Sequence, residues 1–245
     1  MLERGSCRAF SDRAVEPHVL DILCAAALSA PTKSDLQQRD IIVIRDPALR
    51  TRLDALCGGG WIETAPVFLV FCGNNRRQRR LHTMRGHAFA NDHLDAFFNA
   101  AVDAAIALGA FVTAAEAAGL GCCPVSAIRN EADAVSDVLG LPDHVFPVAG
   151  LALGYRQDPE PVVSLRLPLS VTVHRDRYSE TGLDAAIAEY DARREAGQPY
   201  AAQRAVETFG TSGHYGWSED KARQYALPER TNFGAFIRSK GFTLD

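Results

Sequence analysis

Hydrophobic positions recur at three- and four-residue spacing between Asn91 and Gly119, at Leu94, Phe97, Phe98, Ala101, Val102, Ala105, Ile106 and Val112. That period predicts one long amphipathic helix. No charged residue occurs from Ala104 to Ala115, so burial nearly all round is expected, and the many alanines with Gly109 would admit another backbone closely. Gly119 and Gly121 supply a stop, and the apolar run Cys122 to Ala127 continues as an extended segment. Upstream, Val15 to Ser29 carries a helical stripe of Leu20, Leu23, Cys24 and Leu28, with Pro17 in its first turn. Unbroken apolar runs at Ile41 to Ile44, Val67 to Cys72 and Val145 to Gly154 read as buried strands. Ala48 to Cys57 reads as a short helix, and Asn130 as the cap of another that runs to Leu139 with Asp133 in its first turn.

After Tyr155 the pattern changes. Pro159, Pro161 and Pro168 predict an extended connection, Asp184 to Ala196 a charged surface helix, and Ala201 to Thr208 a further helical stretch. Gly210 to Gly213 reads as a flexible hinge, Ser218 as an N-cap for Glu219 to Tyr225, and Arg230 to Lys240 as a last helix. No strand-like run occurs here, so residues 156–245 are expected as a strand-poor extension that wraps the core or a partner subunit, within one domain over 1–245. The whole predicts an α+β fold: a small mixed sheet flanked by helices, with the long buried helix at its centre.

Composition narrows the function classes. The 245 residues are 47% hydrophobic and carry a formal net charge of -4, which argues against a nucleic-acid protein as a whole. The uncharged helical run is shorter than the roughly 18 apolar residues a bilayer span needs, and MLERGSCRAF has no apolar leader, so no membrane role and a cytoplasmic location are expected. The six cysteines form no CxxC pair, and no histidine stands at metal-ligand spacing, which points to free thiols and no metal. Gly119-Leu120-Gly121 follows a helix where a dinucleotide fingerprint follows a strand, and Pro124 stands at the third glycine, so a Rossmann site is not expected. No nucleophile motif is present. A chain without an acid–base constellation is still an enzyme when a cofactor carries the chemistry.

Three polar stretches remain. In an extended segment Arg4, Ser6 and Arg8 share a face, and two guanidinium forks with a hydroxyl suit a phosphate, although a solvated basic terminus has the same composition. Residues 30–38, rich in hydroxyls and amides, make either a connector or a wall of donors around a polar ring. Asn75 to Arg80 is the strongest charge run; it reads as a solvated loop ahead of a phosphate patch for NADPH or RNA.

In order, the pieces RGSCRAF, SAPTKSDLQ, the long helix ending in GLG, AIRN, and FPVAGLALGY followed by RLP resemble the flavin-dependent nitroreductase family, in its oxygen-insensitive NADPH nitroreductase and flavin reductase branch. The resemblance is clear from Arg4 to about Tyr178. It implies FMN gripped at its phosphate by Arg4, Gly5, Ser6 and Arg8, and touched at ribityl and ring by Thr32, Lys33, Ser34, Asp35 and Gln37. Pro124, Val125, Ser126 and Ala127 would lie along the ring edge, and Ser164 and Arg166 would close on the flavin. For NADPH (or NADH) as donor it implies Arg230, with Arg204 second. Gly5 replaces a common arginine, Asp35 a common asparagine, Ser126-Ala127 paired glycines, and Ser164 a frequent lysine. The implied activity is hydride transfer from NAD(P)H through FMN to nitroaromatics, quinones or free flavin by a ping-pong mechanism, in a homodimer and with no catalytic side chain required. A flavin reductase feeding a partner oxygenase and a non-catalytic flavin-binding protein are the alternatives.

Overall fold

A computed structural model describes residues 2–158 and 161–245; the expected extended connection at Pro159 lies outside the described residues. The chain divides into two compact units, Met1–Val162 with Arg230–Asp245, and Val163–Glu229.

The first unit contains α1 (Pro17–Leu28), β1 (Arg39–Ile44), α2 (Pro47–Cys57), β2 (Val67–Asn74), α3 (Arg76–Arg85), α4 (Leu94–Ala117), β3 (Gly121–Val125), α5 (Ala132–Leu139) and β4 (Val145–Gly154). Among the described residues the four strands lie in the order β1-β2-β4-β3, and every pair is antiparallel, where a mixed sheet was expected. Alternation divides the strands between two cores. Val67, Leu69, Phe71, Leu151 and Leu153 meet Leu20 and Leu23 of α1 and Ala107, Phe111 and Ala115 of α4. Phe68, Val70, Cys72 and Ala152 point the other way, onto Leu53 of α2, Ile62 and Val135 of α5.

α4 is long and apolar enough to cross a membrane by length and composition, yet it packs across this sheet as a core helix. It is not buried all round. Leu94, Phe98, Val102 and Ile106, four residues apart along one stripe, remain 49%, 59%, 36% and 38% exposed. Periodicity identifies apolar faces but not which of them the same chain covers.

Local expectations fail where a distant partner takes the side chain. The basic run after Asn75 is the helix α3, closed by Gly86 in the left-handed region. It is anchored by Gln78, which is buried, by Arg77 on Asp40 and by Arg79 on Asp92. Asn130 does not cap α5, whose N-cap position is Glu131; its Oδ1 accepts from Arg230 Nε at 2.9 Å.

The second unit holds α6 (Leu169–Thr172), α7 (Leu183–Gly197), α8 (Val206–Phe209) and α9 (Trp217–Tyr225). Tyr190 of α7 stacks edge-on to Trp217 of α9 at 5.6 Å. The stretch expected as helix from Ala201 to Thr208 shortens to the single turn of α8. Ser218 lies inside α9 and donates its N–H to Asp191 Oδ1 at 2.9 Å, so it does not cap the helix. The expected hinge is laced: Gln203 and Ser212 exchange two hydrogen bonds of 2.8 Å, and Arg223 donates to Gly210 O at 2.8 Å. The last helix, α10 (Phe233–Ser239), returns to the first unit and buries Phe236 and Ile237 beside Ala96, Ala100 and Phe146.

Candidate functional site

The N-terminal segment is extended and runs beside β3, with Cys7 N donating to Cys122 O at 3.1 Å. Gly5 and Cys7 face inward and are buried, while Ser6 and Arg8 face outward, as the two-residue period requires. Gly5 must be glycine, because a Cβ there would lie 2.4 Å from Val162 O. The Arg8 guanidinium sits 5.7 Å over the Trp61 ring. Arg4 turns toward the end of α4, where its Nε lies 3.8 Å from Glu116 Oε1. Its Nε and Nη2 are shielded from solvent and have no hydrogen-bond partner. Glu116 instead takes Arg156 Nη2 at 2.8 and 2.9 Å. Beneath them, burial and the Glu116 charge push the Cys122 thiol to about 12, and burial also raises Cys7. Neither thiol is a nucleophile at neutral pH.

The second group is the loop at residues 32–38. Ser34, Asp35 and Gln37 all have positive φ (47°, 56° and 51°), a backbone that non-glycine residues adopt at a cost. Tertiary contacts hold it. Asp103, 1% exposed in α4, accepts Lys33 N at 3.1 Å and Gln38 N at 2.9 Å. Arg39 donates to the carbonyls of Leu28, Ala30 and Pro31 at 2.7, 2.7 and 2.9 Å. Thr32 Oγ1 accepts Gln37 N at 3.3 Å, and Gln37 Nε2 donates to Asp35 at 3.0 Å. Lys33 Nζ pairs with Asp95 at 2.8 Å and, with Asn99 second, holds that carboxyl below its usual range. A cavity of about 190 Å³ opens beside the loop, with Lys33, Gln38, Gln78 and Asp95 alongside Leu36 and Phe89 in its lining.

A third group follows β3. Pro124 and Ser126 are exposed, Val125 is buried and Ala127 half-buried, and the backbone turns into a 3-10 helix at Ser126–Arg129. Arg129 donates to Val148 O, and Arg230 reaches Asn130 next door. In the second unit, Ser164 and Arg166 line a cavity of about 580 Å³ with Tyr190, Arg194, Tyr200, Trp217 and Lys221. Among the described residues its lining has three cations and no carboxylate. Arg204 is elsewhere in that unit, 3.6 Å from the buried Asp220.

The first two groups meet α4 at separate points, one near its middle and one at its C-terminal end. Asp103 holds the loop and Glu116 the arginines, thirteen residues further along, or roughly 20 Å at 1.5 Å per residue. Asp103, Glu116, Arg156 and Arg39 were absent from the residues singled out in the sequence. Asp103 alone had a local signal, as the one charged residue between Asp95 and Glu116.

The arrangement suits FMN. Arg4, a cation with unsatisfied buried donors, leads a segment whose Ser6 and Arg8 point outward, so the segment is short of an anion. The loop at 32–38 offers amide and hydroxyl groups in a conformation that its contacts impose.

Comparison with known proteins gives one answer. The model of the nitroreductase family matches residues 1–155, and that of the nitroreductase family C-terminal domain matches 164–245. The chain is 31% identical to an FMN reductase [NAD(P)H] of Bacillus subtilis over 249 residues, covering 100% of this chain and 97% of that protein. It is 35% identical over 187 residues to an oxygen-insensitive NADPH nitroreductase of Salmonella typhimurium, covering 76% and 75% of the two. The solved structure of B. megaterium NfrA2 superposes with a TM-score of 0.90 at 31% identity, covering 99% of this chain and 96% of that one.

Proposed function

The chain belongs to the nitroreductase family, and from that premise we propose that Arg4, Ser6 and Arg8 hold the phosphate of FMN while the loop at 32–38 of a second copy meets its ring. The protein is an FMN-dependent NAD(P)H oxidoreductase. FMN held there would supply two-electron redox chemistry between NAD(P)H and a nitroaromatic, quinone or free flavin. The chain's own residues bind and orient. The observation that carries the phosphate assignment is the pair of orphaned donors on Arg4.

The homodimer is supported by two features. The exposed stripe of Leu94, Phe98, Val102 and Ile106 needs an apolar cover. A second copy of the same stripe, related by a two-fold axis, would supply that cover. The second feature is the separation of the phosphate-side and ring-side groups, roughly 20 Å along one α4, so this reading draws the two sides of one flavin site from different chains and each copy completes the other's. Pro124–Ala127 would border the ring edge, Ser164 and Arg166 would close on the flavin, and Arg230 would meet the nucleotide phosphate, with Arg204 second. A single ring face serving both substrates makes NAD(P)H leave before the acceptor enters, which is ping-pong order.

The test is anaerobic mixing of FMN-loaded protein with NADPH, then addition of a nitroaromatic or quinone. The flavin absorbance should bleach and then return, with parallel lines in double-reciprocal plots. Flavin that stays oxidised with both NADPH and NADH would refute turnover and leave a flavin-binding protein.

A further inference from the structure

Arg156 lies two residues past the end of β4, outside the motifs that resemble the family. It forms a β-bridge with Phe10, and Gln157 N donates to Ala9 O at 3.1 Å, so the N-terminal segment is laid against it. Its Nη2 reaches Gly5 O at 3.0 Å and both oxygens of Glu116 at 2.8 and 2.9 Å. The arm passes over Gly121, where a Cβ would stand 2.6 Å from Arg156 Cγ, so any side chain at 121 would displace it. Residue 5, which has no side chain, thus receives at its backbone a guanidinium delivered from residue 156.

One carboxylate faces two guanidinium groups here. Arg156 has taken both oxygens, and Arg4 stands 3.8 Å off with Nε and Nη2 unbonded. We propose that Arg156 is a positioning residue for the FMN phosphate: it occupies Glu116 and holds Gly5, which keeps Arg4 available to the phosphate. The inference rests on the reading that Arg4, Ser6 and Arg8 grip that phosphate. With Arg156 present the three groups carry one net positive charge beside the segment. Without it, Glu116 loses its bidentate partner in a largely buried setting, and Arg4 is the nearest cation able to replace it. The local charge then falls to zero, and a phosphate donor is lost to an internal ion pair.

The experiment titrates FMN and riboflavin separately into flavin-free, full-length protein by fluorescence quenching. It compares the unaltered chain with Arg156→Met, Glu116→Gln and the double variant. Arg156→Met should weaken FMN roughly tenfold or more, the scale of one charge-assisted hydrogen bond. Riboflavin, which lacks the phosphate, should change about twofold at most on the same argument. The double variant should regain most of the FMN affinity, because no carboxylate remains to draw Arg4 inward. Glu116→Gln alone should bind FMN at least as tightly as the unaltered chain, a result that does not depend on whether Arg156→Met folds. Equal loss of FMN and riboflavin, a double variant no better than Arg156→Met, or a tenfold loss in Glu116→Gln would each overturn the proposal. If the unaltered chain binds riboflavin as tightly as FMN, the phosphate grip itself is wrong, and this inference falls with it.

Discussion

Replacing Asp103 by alanine tests whether α4 holds the loop at 32–38. Its carboxylate accepts Lys33 N and Gln38 N at 3.1 and 2.9 Å and is shut away from solvent. Hydrogen bonds to a charged group contribute about 1.5–3 kcal/mol each, so the gross loss is about 3–6 kcal/mol. Two effects reduce it. Lys33 is exposed and its N–H can turn to water, and removing the carboxylate relieves its own desolvation. Gln38 is buried, and its N–H would be left unpaired. A net cost of about 2–4 kcal/mol follows, which in a chain of this size lowers Tm by roughly 5–15 °C. Asp103→Asn keeps one acceptor and should lose less. Thermal unfolding measures the total, and amide hydrogen exchange at Lys33 and Gln38 reports the loop itself, since local opening exposes those two groups first. A variant that melts within about 1 °C of the unaltered protein, with both amides exchanging at unaltered rates, would refute the reasoning.

Gly5→Ala forces a Cβ within 2.4 Å of Val162 O; it should cost about 1–3 kcal/mol, read as a lower urea midpoint, and an unmoved midpoint would contradict the close approach. Burial pushes the thiols of Cys57 to about 11 and of Cys72 and Cys122 to about 12. Their unfolded counterparts ionise first as pH rises, so this stability is fully present below about pH 9 and is lost toward pH 12. Denaturant midpoints that stay constant across that window would count against it. Phe98→Asp with Ile106→Asp puts charge into the exposed α4 stripe and should yield monomers that bind FMN weakly; dimers by light scattering would disprove the assigned interface. Arg230→Ala should raise KM for NADPH far more than for NADH with little change in kcat, and equal effects on the two nucleotides would remove Arg230 from phosphate recognition.

Where burial depends on a residue's immediate neighbours in the chain, the sequence was sufficient. α1, α2, β2 and β4 begin and end within about two residues of their expected bounds, because an apolar stripe or run is a local pattern that any covering layer will bury. The residue types of the segments proposed to hold FMN were legible for a similar reason, since a phosphate demands cations and a polar ring demands amides whatever the fold. Matters of partner choice were not legible. Asn130 and Ser218 have the chemistry of caps, but Arg230 and Asp191 claimed them from 100 and 27 residues away. The arginines after Asn75 read as solvated loop until Asp40 and Asp92 anchored them as α3. The contest of Arg4 and Arg156 for Glu116, and the grip of Asp103 on a strained loop, join residues 40 to 112 positions apart. Such pairings are set by where the sheet and α4 bring the chain back together. A hydrogen-bonding side chain takes whichever partner the packed core places within about 3 Å, and only the tertiary structure determines that.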